Sequence, residues 1–321
     1  MKKIKYVIIV LLLLLGVTGC TTYLKSNEGK AVVNPTTGQS LPENILCRPT
    51  DEETIKIYEE NNYDLSSLPA CVCKDNKECE EYKINSGKYE GLWSAIFVKP
   101  LAWVILFLGK YTGSFGLGLI ITSILIRLIV FPLTKKSTMQ AAQMQKIQPE
   151  LNKLEKKYAN KDQNDREVMM MKSQEMMAIY KKYHINPVSG CLPALLQLPL
   201  FIAFLDAVNR VPAIFEEKFL MFHLGTTPYI GISGGNWWYI LLTILVAVST
   251  YFSFNKATQN QTPSSNTNGI DMTKQTKMMT NGFSIMITVM SVFMSSALNI
   301  YWVVSNACTL IQNYLVKRSM K

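Results

Sequence analysis

Residues 115–133 read FGLGLIITSILIRLIVFPL, nineteen positions of which one is charged. At 1.5 Å per residue a helix of that length reaches about 28 Å, the thickness of a bilayer's hydrocarbon core, whereas buried helices of water-soluble proteins are usually shorter and more amphipathic. Charge-poor runs recur at 187–208, 237–254, 280–297 and 299–316. Together they predict an all-α integral membrane protein with five transmembrane helices. One unbroken helix over 280–316 would reach roughly 55 Å, so the chain must turn back there, and the polar cluster Ser295, Ser296 and Asn299 is the natural place. The 321 residues are 48% hydrophobic and only 17% charged, which excludes disordered and low-complexity classes.

The charges between the runs set the topology. Lys2, Lys3 and Lys5 precede an apolar stretch that ends in Val17-Thr18-Gly19-Cys20, the pattern of a secretory leader with a small-residue cleavage site over residues 1–19. A cysteine directly after the small residues resembles the lipobox of bacterial lipoproteins, in which the thiol of the new N-terminal residue, here Cys20, carries diacylglycerol. Residue 21 onward then starts outside the cytoplasm. With five spans, the outer segments hold 10 Lys/Arg against 13 Asp/Glu over 21–113 and two of each over 209–236. The inner segments hold 11 against six over 135–186, three against one over 255–279 and three against none over 317–321. The positive excess is inside, as Lys/Arg bias requires, and puts the C-terminus in the cytoplasm. It also accounts for the net charge of +10 without a nucleic-acid partner, for which no aromatic-plus-basic motif is present.

Three further segments have their own signatures. Residues 20–91 form a small outer segment carrying Cys47, Cys71, Cys73 and Cys79; an oxidising setting permits disulfides, and four thiols allow three pairings, with Cys71–Cys73 the most strained. A four-thiolate metal site lacks its usual spacing, so no metal is expected. Residues 91–109 are apolar but cut by Lys99-Pro100, with Trp93 and Trp103 suited to an interface; they predict an amphipathic helix on the outer surface. Residues 135–158 and 166–183 are rich in helix formers and interrupted by 159–165, which predicts a cytosolic helical hairpin within 135–186. Met144, Ile147, Leu151 and Leu154 on one arm, and Met169, Met176 and Ile179 on the other, where Lys172 interrupts the stripe, recur at helical spacing. These stripes either pack on each other or present an adaptable methionine surface to apolar segments of other proteins.

Arg127 is the one charge in the first span, six residues from its cytosolic end. A charge at a helix centre costs ~2.5–3.5 kcal/mol on insertion scales, so something must offset it. Arg127 either snorkels to the cytosolic surface or pairs with Asp206, whose depth does not match, or it faces a wet cavity lined by polar groups. The candidate lining is Thr122 and Ser123 in the first span, Gln197 in the second, Ser249 and Thr250 in the third, Ser284 and Thr288 in the fourth, and Ser305, Asn306 and Gln312 in the fifth. Each alone is ordinary helix–helix glue; their number favours a cavity. Pro193 and Pro199 flank Gln197 and loosen its helix. Both histidines, His184 and His223, fall in loop or interface positions, no acidic residue lies mid-membrane, and no nucleophile–base pair or phosphate loop is visible, so no enzyme activity and no cofactor are expected.

The segments 118–133 (GLIITSILIRLIVFPL), Gln148-Pro149-Glu150, 175–204 (EMMAIYKKYHINPVSGCLPALLQLPLFIAF) and 301–306 (YWVVSN) together resemble the YidC/Oxa-type membrane protein insertases, over roughly residues 92–316. The resemblance implies five spans, an amphipathic helix before the first, a cytosolic hairpin, and a groove open to cytosol and lipid but closed outward. Arg127 and Gln197 occupy the positions of the family's groove arginine and glutamine. The lipobox and short outer segment look like the Gram-positive form. Implied partners are nascent membrane proteins and membrane lipids, with the Sec translocon and the ribosome as candidates; the basic tail after Val316 is five residues, short for ribosome docking. Two departures stand out: His184 replaces a glycine before the Asn-Pro motif, and Ser295-Ser296-Ala297-Leu298 replaces a Pro/Gly turn, which predicts a looser hairpin between the last spans. A small-solute transporter would show internal repeats, which are not evident, and a non-inserting assembly chaperone is the remaining alternative.

Overall fold

The computed structural model describes residues 21–73, 79–159, 161, 165–185, 192–259, 266–267 and 270–319. The leader with Cys20 and the stretch 186–191 of the Asn-Pro motif lie outside the described residues. The chain is predominantly helical: α1 (Glu52–Glu60), α2 (Lys99–Thr112, preceded by a π-helical turn Ser94–Val98), α3 (Phe115–Tyr158), α4 (Arg166–Lys182), α5 (Leu192–Asn209), α6 (Pro212–Glu216), α7 (Pro228–Ser233), α8 (Tyr239–Gln259), α9 (Met272–Phe293) and α10 (Ser296–Ser319). Two short antiparallel ladders, Lys218–Phe219 with Phe222–His223 and Asn266–Thr267 with Ile270–Asp271, are the only named strands among the described residues. Two stretches are long and apolar enough to cross a membrane, Ser94–Thr112 and Phe115–Gln140; shorter apolar helices cover Gln197–Asn209, Tyr239–Asn255 and Thr280–Phe293.

The chain divides into two compact units. The first comprises residues up to 126 with 196–245 and 290–304. Its core gathers Val98 of the π-helical turn, Ile105 and Leu106 of α2, Leu119 of α3, Phe204, Ala207 and Val208 of α5, Ile214 of α6 and Tyr301 of α10. Phe204 stacks on Tyr301 with ring centroids 3.9 Å apart. The helices α2 and α3 approach backbone to backbone: a Cβ on Gly118 would lie 2.7 Å from the carbonyl oxygen of Ile105, so a larger residue there would force them apart. Glu217 caps the start of α3, accepting from the Ser114 hydroxyl at 2.5 Å and from the Phe115 amide.

The apolar segment after Gly91 differs from the expectation. Trp93, expected at an interface, is 4% exposed, and Lys99 is buried as well. The Lys99 ammonium donates to the carbonyls of Ser86 at 2.7 Å and Lys88 at 3.0 Å. A charge supplied with acceptors by the neighbouring outer segment has no need of the surface, and Pro100 stands in the first turn of α2, where a missing amide is tolerated.

The turn between α9 and α10 falls where expected, but it is tied rather than loose. The amide and hydroxyl of Ser296 both donate to the Thr226 carbonyl, at 3.0 and 2.7 Å, and Ala297 N donates to Leu224 O at 2.9 Å. Asn299 Nδ2 closes it by donating to the Ser291 and Met294 carbonyls. Backbone carbonyls and a side-chain amide thus supply the partners that a Pro/Gly turn would do without.

The outer segment within this unit has a small cluster of its own: Leu24, Leu41, Ile45, Tyr58 and Leu65. Asp51 caps α1 by accepting from Thr54 N at 2.9 Å, and the Tyr58 hydroxyl donates to Pro42 O at 2.6 Å. Cys47 is joined to Cys71 and Cys73 to Cys79, with Cα atoms 4.8 and 6.2 Å apart.

The second unit comprises 127–195, 246–289 and 305–321. A helical pair stands where the hairpin is expected, with one correction: the first span and the first arm are a single helix of 44 residues, α3. The apolar window ends near residue 133, but Lys, Gln, Met and Glu continue to favour helix, and the interior Pro132 and Pro149 do not stop it. The two stripes meet, as Met144, Ile147, Leu151, Tyr180 and Ile185 pack together with Met176 and Ile179 beside them. Met169 is a second correction; it is exposed, with Met170, Met171 and Met177.

The arms end in defined chemistry. Asp165 caps α4 by accepting from Glu167 N at 2.8 Å. At the other end His184 adopts a left-handed backbone, φ 52°, while Ile185 N donates to Tyr180 O at 2.9 Å and His184 N to Lys181 O at 3.1 Å. This is a Schellman closure, including its apolar contact between Tyr180 and Ile185. A side chain in that conformation costs roughly 1–2 kcal/mol, so His184→Gly is expected to stabilise the end of the hairpin by up to about 1 kcal/mol, after the entropy that glycine adds to the unfolded chain. Hydrogen exchange of the amides of residues 180–185 measures it.

Glu150 accepts from the Tyr183 hydroxyl and from Lys182 at 3.0 Å, and Glu175 from Lys157 at 2.6 Å and Tyr158 at 2.9 Å. The Tyr183 hydroxyl first and Lys182 second hold the Glu150 carboxyl below its ordinary 4.5; Lys157 first and Tyr158 second do the same for Glu175. Carboxyls depressed in the folded state stabilise fully above their ordinary value and lose that contribution as pH falls through the lower folded value. The hairpin is therefore expected to loosen modestly below about pH 4.5 and not between neutrality and pH 5.5. Hydrogen exchange at the α3–α4 contacts, corrected for the intrinsic rate, reads the effect.

Candidate functional site

The polar residues singled out from sequence divide into those that meet and those that do not. In the second unit, the Arg127 guanidinium on α3 donates to the Ser305 hydroxyl on α10. Two turns further along α10, Gln312 Nε2 donates to the Arg127 carbonyl at 3.1 Å. Beside Ser305, Asn306 Nδ2 donates to Thr250 Oγ1 at 3.1 Å and Ser249 Oγ at 3.3 Å, both on α8. Arg127, Ser249, Thr250, Ser305, Asn306 and Gln312 thus form one polar seam across three helices. Arg127, Asn306 and Gln312 are half-buried, whereas Ser305 and Thr250 are buried.

The seam is set in apolar surroundings. Leu128 and Ile129 on α3, Val248, Tyr251 and Phe252 on α8, and Ile285 and Val289 on α9 are all exposed. Large apolar side chains turned outward along successive helices are a cost in water and a requirement in lipid, so the polar residues between them sit in a medium that strengthens each hydrogen bond.

Other candidates turn onto their own helices. Ser284 Oγ donates to Thr280 O and Thr288 Oγ1 to Ser284 O, both at 2.9 Å. In the first unit, Thr122 donates to Gly118 O and Ser123 to Leu119 O, both at 2.7 Å, and both are buried. Gln197 is half-buried on α5 in that unit. The back-bonded hydroxyls satisfy themselves within one turn and present little to a ligand.

One buried charge among the described residues is not among the sequence candidates. Arg210, just past α5, is 1% exposed and donates through Nε to the Asn44 carbonyl, through Nη1 to Ser94 Oγ at 3.2 Å and through Nη2 to Glu90. Asp206, one turn earlier, lies 4.0 Å from Nη1, so the cation beside it is its own i,i+4 neighbour rather than Arg127. The spacing Asp206–Arg210 is the one signal the sequence offers for this pair.

A family model described as 60Kd inner membrane protein matches residues 107–321. The membrane protein insertase YidC of Oceanobacillus iheyensis is 35% identical over 232 residues, 72% of this chain and 86% of that protein. YidC 1 of Halalkalibacterium halodurans is 33% identical over 71% of this chain and 79% of its own length, and the insertase MisCA of Bacillus subtilis 35% identical over 70% and 79%.

Proposed function

The chain belongs to the 60Kd inner membrane protein family, the YidC/Oxa-type proteins, and from that premise we propose that it is a membrane protein insertase working on newly made proteins at the cell membrane. The observation that carries the mechanism is the guanidinium of Arg127 held by a hydroxyl among otherwise apolar helices. A passenger must move a short polar flank across the membrane while its apolar segment enters lipid. A hydrated notch around the α3–α8–α10 seam shortens the dehydrated path, and Arg127 attracts acidic or polar groups on the flank more strongly than it would in water. Burial of the apolar segment in lipid supplies the drive, ~0.8 kcal/mol per CH₂ removed from water. No nucleotide is needed for that.

In this reading the five sequence-derived spans cross the membrane with the hairpin and the C-terminus in the cytoplasm. The chain is a lipoprotein, cleaved after Gly19 and anchored through Cys20 on the outer face. The exposed Met169, Met170, Met171 and Met177 of α4 hold apolar passenger segments before insertion, because thioether side chains repack around varied shapes. The Sec translocon and the ribosome are its candidate co-partners. Transport of small solutes and chaperoning without insertion are not favoured by the relatives.

The test is depletion in the host cell. A single-span substrate with a short amino-terminal flank should then keep that flank inside, uncut by protease added to spheroplasts, and re-expression should restore cleavage. Cleavage unchanged by depletion would overturn the proposal.

A further inference from the structure

We propose that Asp206 is the receptor for the α-ammonium group of Cys20, formed when the leader is removed, so that the lipidated N-terminus is pinned to the end of α5 and its amine stays unacylated. This rests on the lipoprotein reading given above. Asp206 is 0% exposed. Its Oδ1 accepts from the Thr21 hydroxyl at 2.5 Å, whereas its Oδ2 accepts no hydrogen bond among the described residues. Among the described residues the cation paired with it is Arg210, whose Nη1 is 4.0 Å away and whose guanidinium donates instead to Asn44, Ser94 and Glu90. A buried carboxylate oxygen without a donor is costly, and an ammonium supplies three donors and the opposite charge.

Thr21, whose hydroxyl is bonded to Oδ1, is the residue that directly follows Cys20 in the chain, and consecutive Cα atoms are about 3.8 Å apart. In the precursor that nitrogen is a neutral peptide N–H. Hydrolysis of the Gly19–Cys20 bond adds one water, leaving a carboxylate on Gly19, which departs with the leader, and an ammonium on Cys20. The charge appears on the residue that adjoins Thr21, the donor to Oδ1. Acylation of the amine would remove both the charge and two of the donors, so the chemistry of the site requires acyl chains on the thiol-linked glycerol alone. The charged groups around the site are Asp206, Arg210 and, paired to Arg210, Glu90.

The experiment uses the full chain purified from its membranes in detergent. Mass spectrometry of the N-terminal peptide should show Cys20 as residue one, diacylglyceryl-modified, with a free amine. Acetylation of that amine by a water-soluble reagent is then followed between about pH 6 and 10, folded and unfolded, on the same peptide. In the folded wild type the midpoint should lie about one unit or more above the ordinary ~7.7–8.0, giving at least about tenfold slower labelling at neutral pH than in the unfolded chain; Asp206→Asn should bring both near the unfolded values. An acylated amine, or a wild-type midpoint equal to the unfolded one, overturns the proposal while leaving the lipoprotein reading intact. An uncleaved leader overturns both. If Asp206→Asn does not fold, the wild-type comparison decides alone.

Discussion

Arg127→Ala is expected to cut insertion of single-span substrates with acidic outer flanks by about tenfold or more. At 4 Å and an effective dielectric near 20, a guanidinium–carboxylate contact is worth ~4 kcal/mol before the passenger's desolvation is subtracted; a net of ~1.4 kcal/mol is a factor of ten. Alanine removes that attraction, and it also takes from the buried Ser305 hydroxyl the donor it has now. Arg127→Lys keeps the charge but replaces a planar fork with a single ammonium, so it should retain much of the activity. Flanks without acidic residues should depend on Arg127 less, because the attraction lost is smaller. The measurement is protease accessibility of the flank in cells depleted of the wild type and supplied with each variant at normal expression. Full insertion of the acidic-flank substrate by the alanine variant would reject a charge-based groove.

What is legible in the sequence follows from what each signal reports. The polar break at Ser295, Ser296 and Asn299 is visible because length alone forbids one span over 280–316, and α9 does end at Phe293 with α10 starting at Ser296. The stripes of the hairpin are visible because a 3.6-residue period survives in Met144, Ile147 and Leu151. Hydropathy, however, locates lipid and not helix ends: α3 runs on to Tyr158 because backbone hydrogen bonding does not depend on whether side chains are greasy. The same confusion makes Lys99 look like an interruption, when two carbonyls eleven and thirteen residues upstream satisfy it.

Of the seam, residue types and depths are readable one helix at a time, which brings in Arg127, Asn306 and Gln312 together with self-satisfied hydroxyls such as Thr122 and Ser284. Whether a serine faces a neighbour or its own carbonyl depends on helix rotation, which one sequence does not encode locally. Arg210 escapes for a related reason. Its acceptors Glu90 and Asn44 are 120 and 166 positions away, and a lone arginine after a span reads as an ordinary topology signal.

Arg210→Met should therefore have the largest effect on stability, about 3–5 kcal/mol, through uncompensated charge rather than lost volume. The guanidinium ties the outer segment, through Asn44, Glu90 and Ser94, to the end of α5, and the Arg210 carbonyl accepts from Leu46 N at 2.8 Å. Methionine fills similar space and leaves that backbone bond in place, so the packing term is small. Glu90, with its side chain 34% exposed, regains water once its partner is gone; Asp206, 1% exposed, does not. The loss therefore falls toward the lower end of the range. Trypsin digestion of the purified full chain should cut at Lys25, Arg48 or Lys56 roughly a hundredfold faster in the variant, the population ratio that ~3 kcal/mol implies. Equal digestion of wild type and Arg210→Met would mean that the outer segment is held by its disulfides and apolar cluster alone.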